Sequence, residues 1–183
     1  MTLHIEFLVE EYSAQAVLEN ILPKLLSQET SFAVRPFRGK PDLLKNLPAR
    51  LKGYKHLPDY RVVVLLDRDN DDCQILKDKL EAIAGEIGIA TKSLVGSGQP
   101  FKVLNRIAIE ELEAWFFGDV EALMAAYPGV PVSLSKKAKY RDPDAITGGT
   151  AEALEKVLQQ AGYHLGRLEK VKAAREISQY MNP

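Results

Sequence analysis

Arg61-Val62-Val63-Val64-Leu65-Leu66-Asp67-Arg68-Asp69 is the stretch that decides the fold. Its five central residues are apolar without a break and rich in β-branched side chains, so it has no polar side to show to water. A strand of that kind is covered on both faces, as the central strand of a parallel sheet is. Downstream, residues 71–87 set Ile75, Leu76, Leu80, Ile83 and Ile87 on one side of a helix, with Gly88 placed to end it. Upstream, the short apolar run 4–9 stops at Glu10 and Glu11, and Ser13 stands where a helix N-cap is expected. Val17, Leu18, Ile21, Leu22, Leu25 and Leu26 then recur at helical spacing, and Pro23 predicts an end near Leu26.

Residues 31–37 predict a second strand, and Leu43, Leu44, Leu47 and Leu51 a second helix with a kink at Pro48. Residues 89–95 and 102–109 predict two further strands around the loop Gly96-Ser97-Gly98-Gln99-Pro100. This alternation predicts an α/β fold, Rossmann-like, with a mostly parallel sheet flanked by helices. After Ile109 the period turns helical. Glu110, Glu111 and Glu113 lead into Ala114-Trp115-Phe116-Phe117, whose aromatics read as core, and Asp119 can cap a short helix to Ala126. Two last helices are expected near 150–161 and 168–180. The division expected is an α/β core over 1–118 and a helical extension over 119–183 packed on it, a single domain overall.

The length of 183 residues and the hydrophobic share of 46% suit one such domain. The formal charge of -1 selects no class of partner, because acids and bases cluster in different stretches. Cys73 is the sole cysteine, which excludes an internal disulfide and a cysteine-based zinc cluster. His4, His56 and His164 lack metal-ligand or triad spacing. No apolar run approaches the roughly 20 residues that cross a bilayer, and residues 1–9 lack the basic start and long apolar middle of a secretory signal. A soluble, cytoplasmic protein without membrane contact is the expectation.

In an open parallel sheet the carboxyl ends of the strands share one edge, and ligands bind in the crevice there. Glu10 follows strand one, Arg38-Gly39-Lys40 strand two, Asp67 and Asp69 strand three, and Ser97-Gly98 the expected fourth strand. Asp67 and Asp69 are two apart, so an extended exit from the strand would point both side chains one way. Carboxylates held together repel each other unless a cation joins them, and Mg²⁺ or Mn²⁺ prefers oxygen ligands. The same acids have a plainer reading, since Asp69, Asn70, Asp71 and Asp72 all suit the start of a helix without binding anything. Residues 31–58 carry Arg35, Arg38, Lys40, Lys45, Arg50, Lys52 and Lys55 against the single acid Asp42. Arg38 and Lys40, beside a glycine at a strand end, are the candidates for a phosphate; the others suit a solvated helix face.

Other motifs fail on particular residues. Asp67-x-Asp69-x-Asp71 begins like a calcium loop, but Asp72 replaces the required glycine and a strand precedes it. No P-loop is present. A haloacid-dehalogenase-like phosphatase would need a threonine where Asp71 stands.

Phe7-Leu8-Val9-Glu10 and Leu65-Leu66-Asp67-Arg68-Asp69 resemble the two signature motifs of Toprim domains, which occur in topoisomerases, primases and OLD-type nucleases. More closely, the chain resembles a bacterial Toprim-like family known as domain of unknown function 4276, over residues 8–26, 39–54, 62–76, 107–118 and 148–162. The resemblance implies Mg²⁺- or Mn²⁺-dependent phosphodiester chemistry on nucleic acid, with Glu10 as general acid/base and Asp67, Asp69 and Glu10 as metal ligands. Glu11, which stands where a glycine usually follows the glutamate, is a possible additional acid with Asp71, Glu110 and Glu111. A partner ATPase, as in phage-defence nucleases, is implied by resemblance only. The alternative is a non-catalytic Toprim-like module that binds a nucleotide or a partner.

Overall fold

Four strands form in the computed structural model, which describes residues 3–183: β1 (His4–Val9), β2 (Ser31–Pro36), β3 (Tyr60–Asp67) and β4 (Val103–Ala108). All pair in parallel, in the order β2-β1-β3-β4. β1 is therefore flanked by β2 on one side and β3 on the other, and the order reverses direction between β1 and β3.

Seven helices join or follow the strands: α1 (Tyr12–Leu25), α2 (Lys40–Tyr54), α3 (Cys73–Glu86), α4 (Ala114–Gly118), α5 (Val120–Ala126), α6 (Thr150–Gln160) and α7 (Lys170–Ser178). None among the described residues is long and apolar enough to cross a membrane. The chain divides into two compact units, Met1–Gln15 with Leu26–Ala108 and Ala16–Leu25 with Ile109–Pro183.

The first unit holds the sheet. Leu8, Val62, Val64, Leu66 and Val103 alternate onto one face and meet Leu43, Leu47 and Leu51 of α2 and Leu76, Leu80 and Ala84 of α3. The leucines of α2 were legible from their spacing, and Pro48 sits inside that helix without ending it. Asp72 caps α3, its Oδ1 accepting from the Ile75 amide at 2.9 Å. Ser13 lies one residue inside α1 rather than ahead of it. Ile75, which helical spacing groups with the core face of α3, is 70% exposed.

The expected strand at 89–95 is absent. Gly88 turns the chain in the left-handed region (φ 69°), and only Thr91 makes a bridge, to Val103. The Leu94 amide donates back to the Thr91 carbonyl, curling the chain before a ladder can grow. The Thr91 hydroxyl donates to Glu81, which also accepts from Asn105 Nδ2 at 3.0 Å and pairs with Lys77 at 3.2 Å. Burial of Glu81 raises its pKa, but the hydrogen bonds from Thr91, Asn105 and Lys77 outweigh that and hold it below the ordinary carboxylate value. The loop 96–100 consequently precedes β4, and Ser97-Gly98 lies at the opposite edge of the sheet from Asp67.

The second unit is helical. Asn20 Nδ2 donates to Ser178 Oγ at 2.8 Å, and Lys24 Nζ donates to the carbonyls of Gln179 and Met181. Phe116 and Phe117 are buried, in keeping with their reading as core, whereas Trp115, read the same way, is half-buried. Asp119 accepts from the Ala122 amide at 3.0 Å and caps α5. Tyr127 donates to Glu176 and meets His164 Nε2 at 2.9 Å, while His164 Nδ1 accepts from the Glu169 amide at 3.3 Å. Burial first, and then the carboxylate of Glu176, push the Tyr127 phenol well above its ordinary value.

Leu80 is fully buried and Ile75 is not. Leu80→Ala is expected to lower stability by about 2–5 kcal/mol. Ile75→Ala should stay within about 0.5 kcal/mol of the parent. Urea unfolding followed by circular dichroism checks the contrast.

Candidate functional site

The residue after β1 and the last residue of β3 meet at the carboxyl edge of the sheet, where the strand order reverses. Open α/β sheets bind ligands at that place. Glu10 is buried there, and its Oε2 accepts from the Asp67 amide at 3.2 Å. The Glu10 carbonyl accepts from the Gly39 amide at 3.0 Å, which ties the exit of β1 to the start of α2. Gly39 has φ 90°, a conformation that suits a residue without Cβ.

Burial raises the Glu10 pKa above the ordinary carboxylate value. The Asp67 amide works against this, the charge of Asp69 adds to it, and Lys40 offsets part of it. Asp67 is itself buried.

Asp69 takes a different path. β3 ends at Asp67, and Asp69 has φ 51°, a left-handed conformation that aspartate tolerates better than most side chains. The strand alternation that would set Asp67 and Asp69 side by side therefore stops. Lys40 Nζ donates to Asp69 at 2.8 Å, to Asp71 at 2.7 Å and to the Arg68 carbonyl at 3.2 Å. Burial pulls the ammonium down, yet the bonds to Asp69 and Asp71 hold its pKa above the ordinary lysine value. The same contact lowers the pKa of Asp71.

The structure thus brings Glu10, Asp67, Asp69, Asp71 and Lys40 to one edge. Among the described residues, no three acid, histidine or cysteine side chains are grouped so as to hold a metal ion. The donors are all oxygens, which is the chemistry a hard divalent cation takes. With Glu10 and Asp67 as protein donors, water and phosphate oxygens would have to complete the shell, a common arrangement for Mg²⁺.

Arg38 is exposed, and its amide donates to Asp42 Oδ2 at 3.0 Å. Glu11 is half-buried in the turn before α1. Glu110 and Glu111 belong to the second unit. Glu111 Oε2 accepts from Thr150 Oγ1 and from the Ala151 amide, each at 2.9 Å, so it caps the start of α6. Glu110 has φ 61°.

Sequence reasoning missed the use of Lys40 as an internal counter-ion. It also missed a cleft of about 730 Å³ beside it, lined by Pro41, Leu44, Ile75 and Lys79 among others. No spacing signals either, because each joins residues of α2 to residues of the turn before α3 or of α3 itself.

Comparison with known proteins places the chain. Residues 9–183 match the family described as domain of unknown function (DUF4276). The chain belongs to that family. No curated protein matches this DUF4276 chain. Among solved structures it is similar to the C-terminal region of the Xanthomonas campestris pv. campestris OLD protein, seen in a mercury-phased and a platinum-phased form. The first has 14% identity over 95% of this chain and 84% of that one, with a TM-score of 0.46. The second has 15% identity over 95% and 82%, with a TM-score of 0.45. Likeness at that level bears on neither site nor activity.

Two titrations test the electrostatics. Lys40→Met should raise the Asp71 pKa back toward the ordinary aspartate value, read by carboxyl NMR against pH. Glu10 binds its proton more tightly folded than unfolded, so folding loses stability as pH rises from its ordinary value of 4.5 through the raised folded value. Glu10→Gln removes that loss. The stability of Glu10→Gln relative to the parent should therefore increase from below pH 4.5 toward neutrality, as followed by denaturant unfolding at several pH values.

Proposed function

We propose that the chain is a Toprim-like, phosphodiester-cleaving protein acting on nucleic acid. In this reading Glu10 gives and takes the proton and, with Asp67, would hold Mg²⁺ or Mn²⁺, which Asp69 would join on leaving Lys40. The observation that carries it is the buried Glu10 carboxylate set against the end of β3 at the edge where the strand order reverses. A carboxyl group whose pKa is raised by burial suits proton transfer nearer neutral pH than an exposed one does. The divalent ion, when bound, would neutralise charge that grows on a phosphoryl group. Arg38, exposed after β2, is available to a phosphate oxygen.

One observation favours a second reading, a non-catalytic module that binds a nucleotide or a partner. Lys40 already pairs with both Asp69 and Asp71, so these two carboxylates have a partner within the chain. The partner ATPase and the phage-defence setting belong to the proposal through the Toprim resemblance. Recovery of an ATPase on purification from native cells tests them.

Purified protein incubated with single- and double-stranded nucleic acids should cleave in Mg²⁺ or Mn²⁺ and stop in EDTA. Glu10→Gln should lose about 100-fold or more in rate, the usual scale for a proton-transfer group, and Asp67→Asn should lose the metal-dependent rate. Mn²⁺ should also give binding heat with the parent and not with Asp67→Asn. Cleavage that survives both substitutions, or calorimetry without heat, leaves the non-catalytic module as the reading.

A further inference from the structure

The cleft beside Lys40 lies between α2 and α3, wholly inside the first unit. At about 730 Å³ it falls within the roughly 300–1,000 Å³ of small-molecule pockets. Its apolar wall is Pro41, Leu44, Ile75 and Leu76. Leu76 belongs to the core of the sheet, whereas Ile75 stands 70% exposed one residue earlier. A large aliphatic side chain open to water on the wall of a cleft is a surface that a ligand can cover with gain.

The charges in the cleft fall into two sets. Lys40, Asp71 and Asp72 are engaged, the first two with each other and Asp72 with the Ile75 amide. Lys45 and Lys79 also line it, and both are exposed. Neither makes a hydrogen bond or ion pair among the described residues, although Lys79 is near enough to Asp71 to lower its pKa slightly through charge alone. Asn70 adds an exposed amide with both donor and acceptor capacity.

We infer that this cleft binds a nucleotide, with the base against Leu44 and Ile75 and the phosphate at Lys45 and Lys79. Inorganic phosphate alone would leave Ile75 in water, and a purely apolar ligand would leave both lysines unmatched. A flat ring that carries a phosphate satisfies both, and the Asn70 amide can pair with a ring edge. The same chemistry comes from two sources, a free nucleotide or one residue of a single strand. The inference rests on and deepens the non-catalytic reading by giving the nucleotide a site, and it is independent of the catalytic one, because binding here needs neither metal nor cleavage.

The test is run in EDTA, so that failure of metal-dependent cleavage leaves it intact. AMP, ATP and a short fluorescent single-stranded oligonucleotide are titrated into the parent and into Ile75→Glu, Lys79→Glu and Lys52→Glu. Lys52 is exposed on α2 and does not line the cleft, so its substitution makes the same charge change elsewhere. All three positions are exposed, and unchanged thermal melting confirms that the variants fold. Saturable binding by the parent, weakened at least about tenfold by Ile75→Glu and Lys79→Glu and unchanged by Lys52→Glu, is the expected result. Binding of AMP or ATP identifies a free nucleotide as the source, and binding of the oligonucleotide alone identifies the strand. Failure of all three probes to bind the parent would overturn the assignment, as would equal weakening by Lys52→Glu or indifference to Ile75→Glu.

Discussion

The parallel pairing of β1 with β3, in register from His4↔Tyr60 to Val9↔Leu65, is the constraint on which the rest depends. It joins residues more than fifty positions apart and fixes where each strand stops. Because both strands end at the same edge, the first residue beyond β1 and the last of β3 are neighbours by geometry. The Glu10 carboxylate is then held by the Asp67 amide, and the Lys40 backbone amide also bonds it. The core secures the pairing, since Leu8, Val62, Val64 and Leu66 are buried under α2 and α3. A slip of one residue in β3 would turn these side chains out of that core.

Part of the charge at the edge is offset by the chain itself. Buried or half-buried carboxylates in close company are costly unless a cation stands among them. Lys40 supplies one, and the start of α2 supplies its position, because Gly39 turns the backbone and donates to the Glu10 carbonyl. The ammonium also accounts for the shape of the turn after β3. It gathers the Arg68 carbonyl with the Asp69 and Asp71 carboxylates, and so closes the turn that delivers Asp72 as the cap of α3. One side chain thereby links a strand exit, a turn and two helices.

The order of elements was legible in the sequence where one physical signal dominated. The unbroken apolar run at 62–66 gave the central strand, and helical spacing gave α1, α2, α3, α6 and α7 to within a few residues. The run at 89–95 looked like a strand because Ile89, Ala90, Leu94 and Val95 are apolar. The Gly88 turn and the pull of Glu81 on Thr91 are tertiary facts that composition does not carry. Topology told which strand ends would meet, so Glu10 and Asp67 were found together. It did not tell where Asp69 would point, because a left-handed residue breaks the alternation on which that expectation rested. Ile75 misled for a related reason: spacing assigns a face, but the cleft between α2 and α3 decides whether that face is covered.

The hydroxyl of Tyr127 has a single proton, and Glu176 receives it. His164 must then offer its own Nε2–H to the phenol oxygen, while its Nδ1 takes the amide of Glu169. The tautomer with its hydrogen on Nε2 meets both demands. The three side chains thus form a one-way relay of donors, from imidazole to phenol to carboxylate, that fixes the orientation of each. Reversing the first link would leave the phenol oxygen and the Glu176 carboxylate facing each other as two acceptors inside the helical unit, so this part of the molecule has a polarity as definite as that of its sheet.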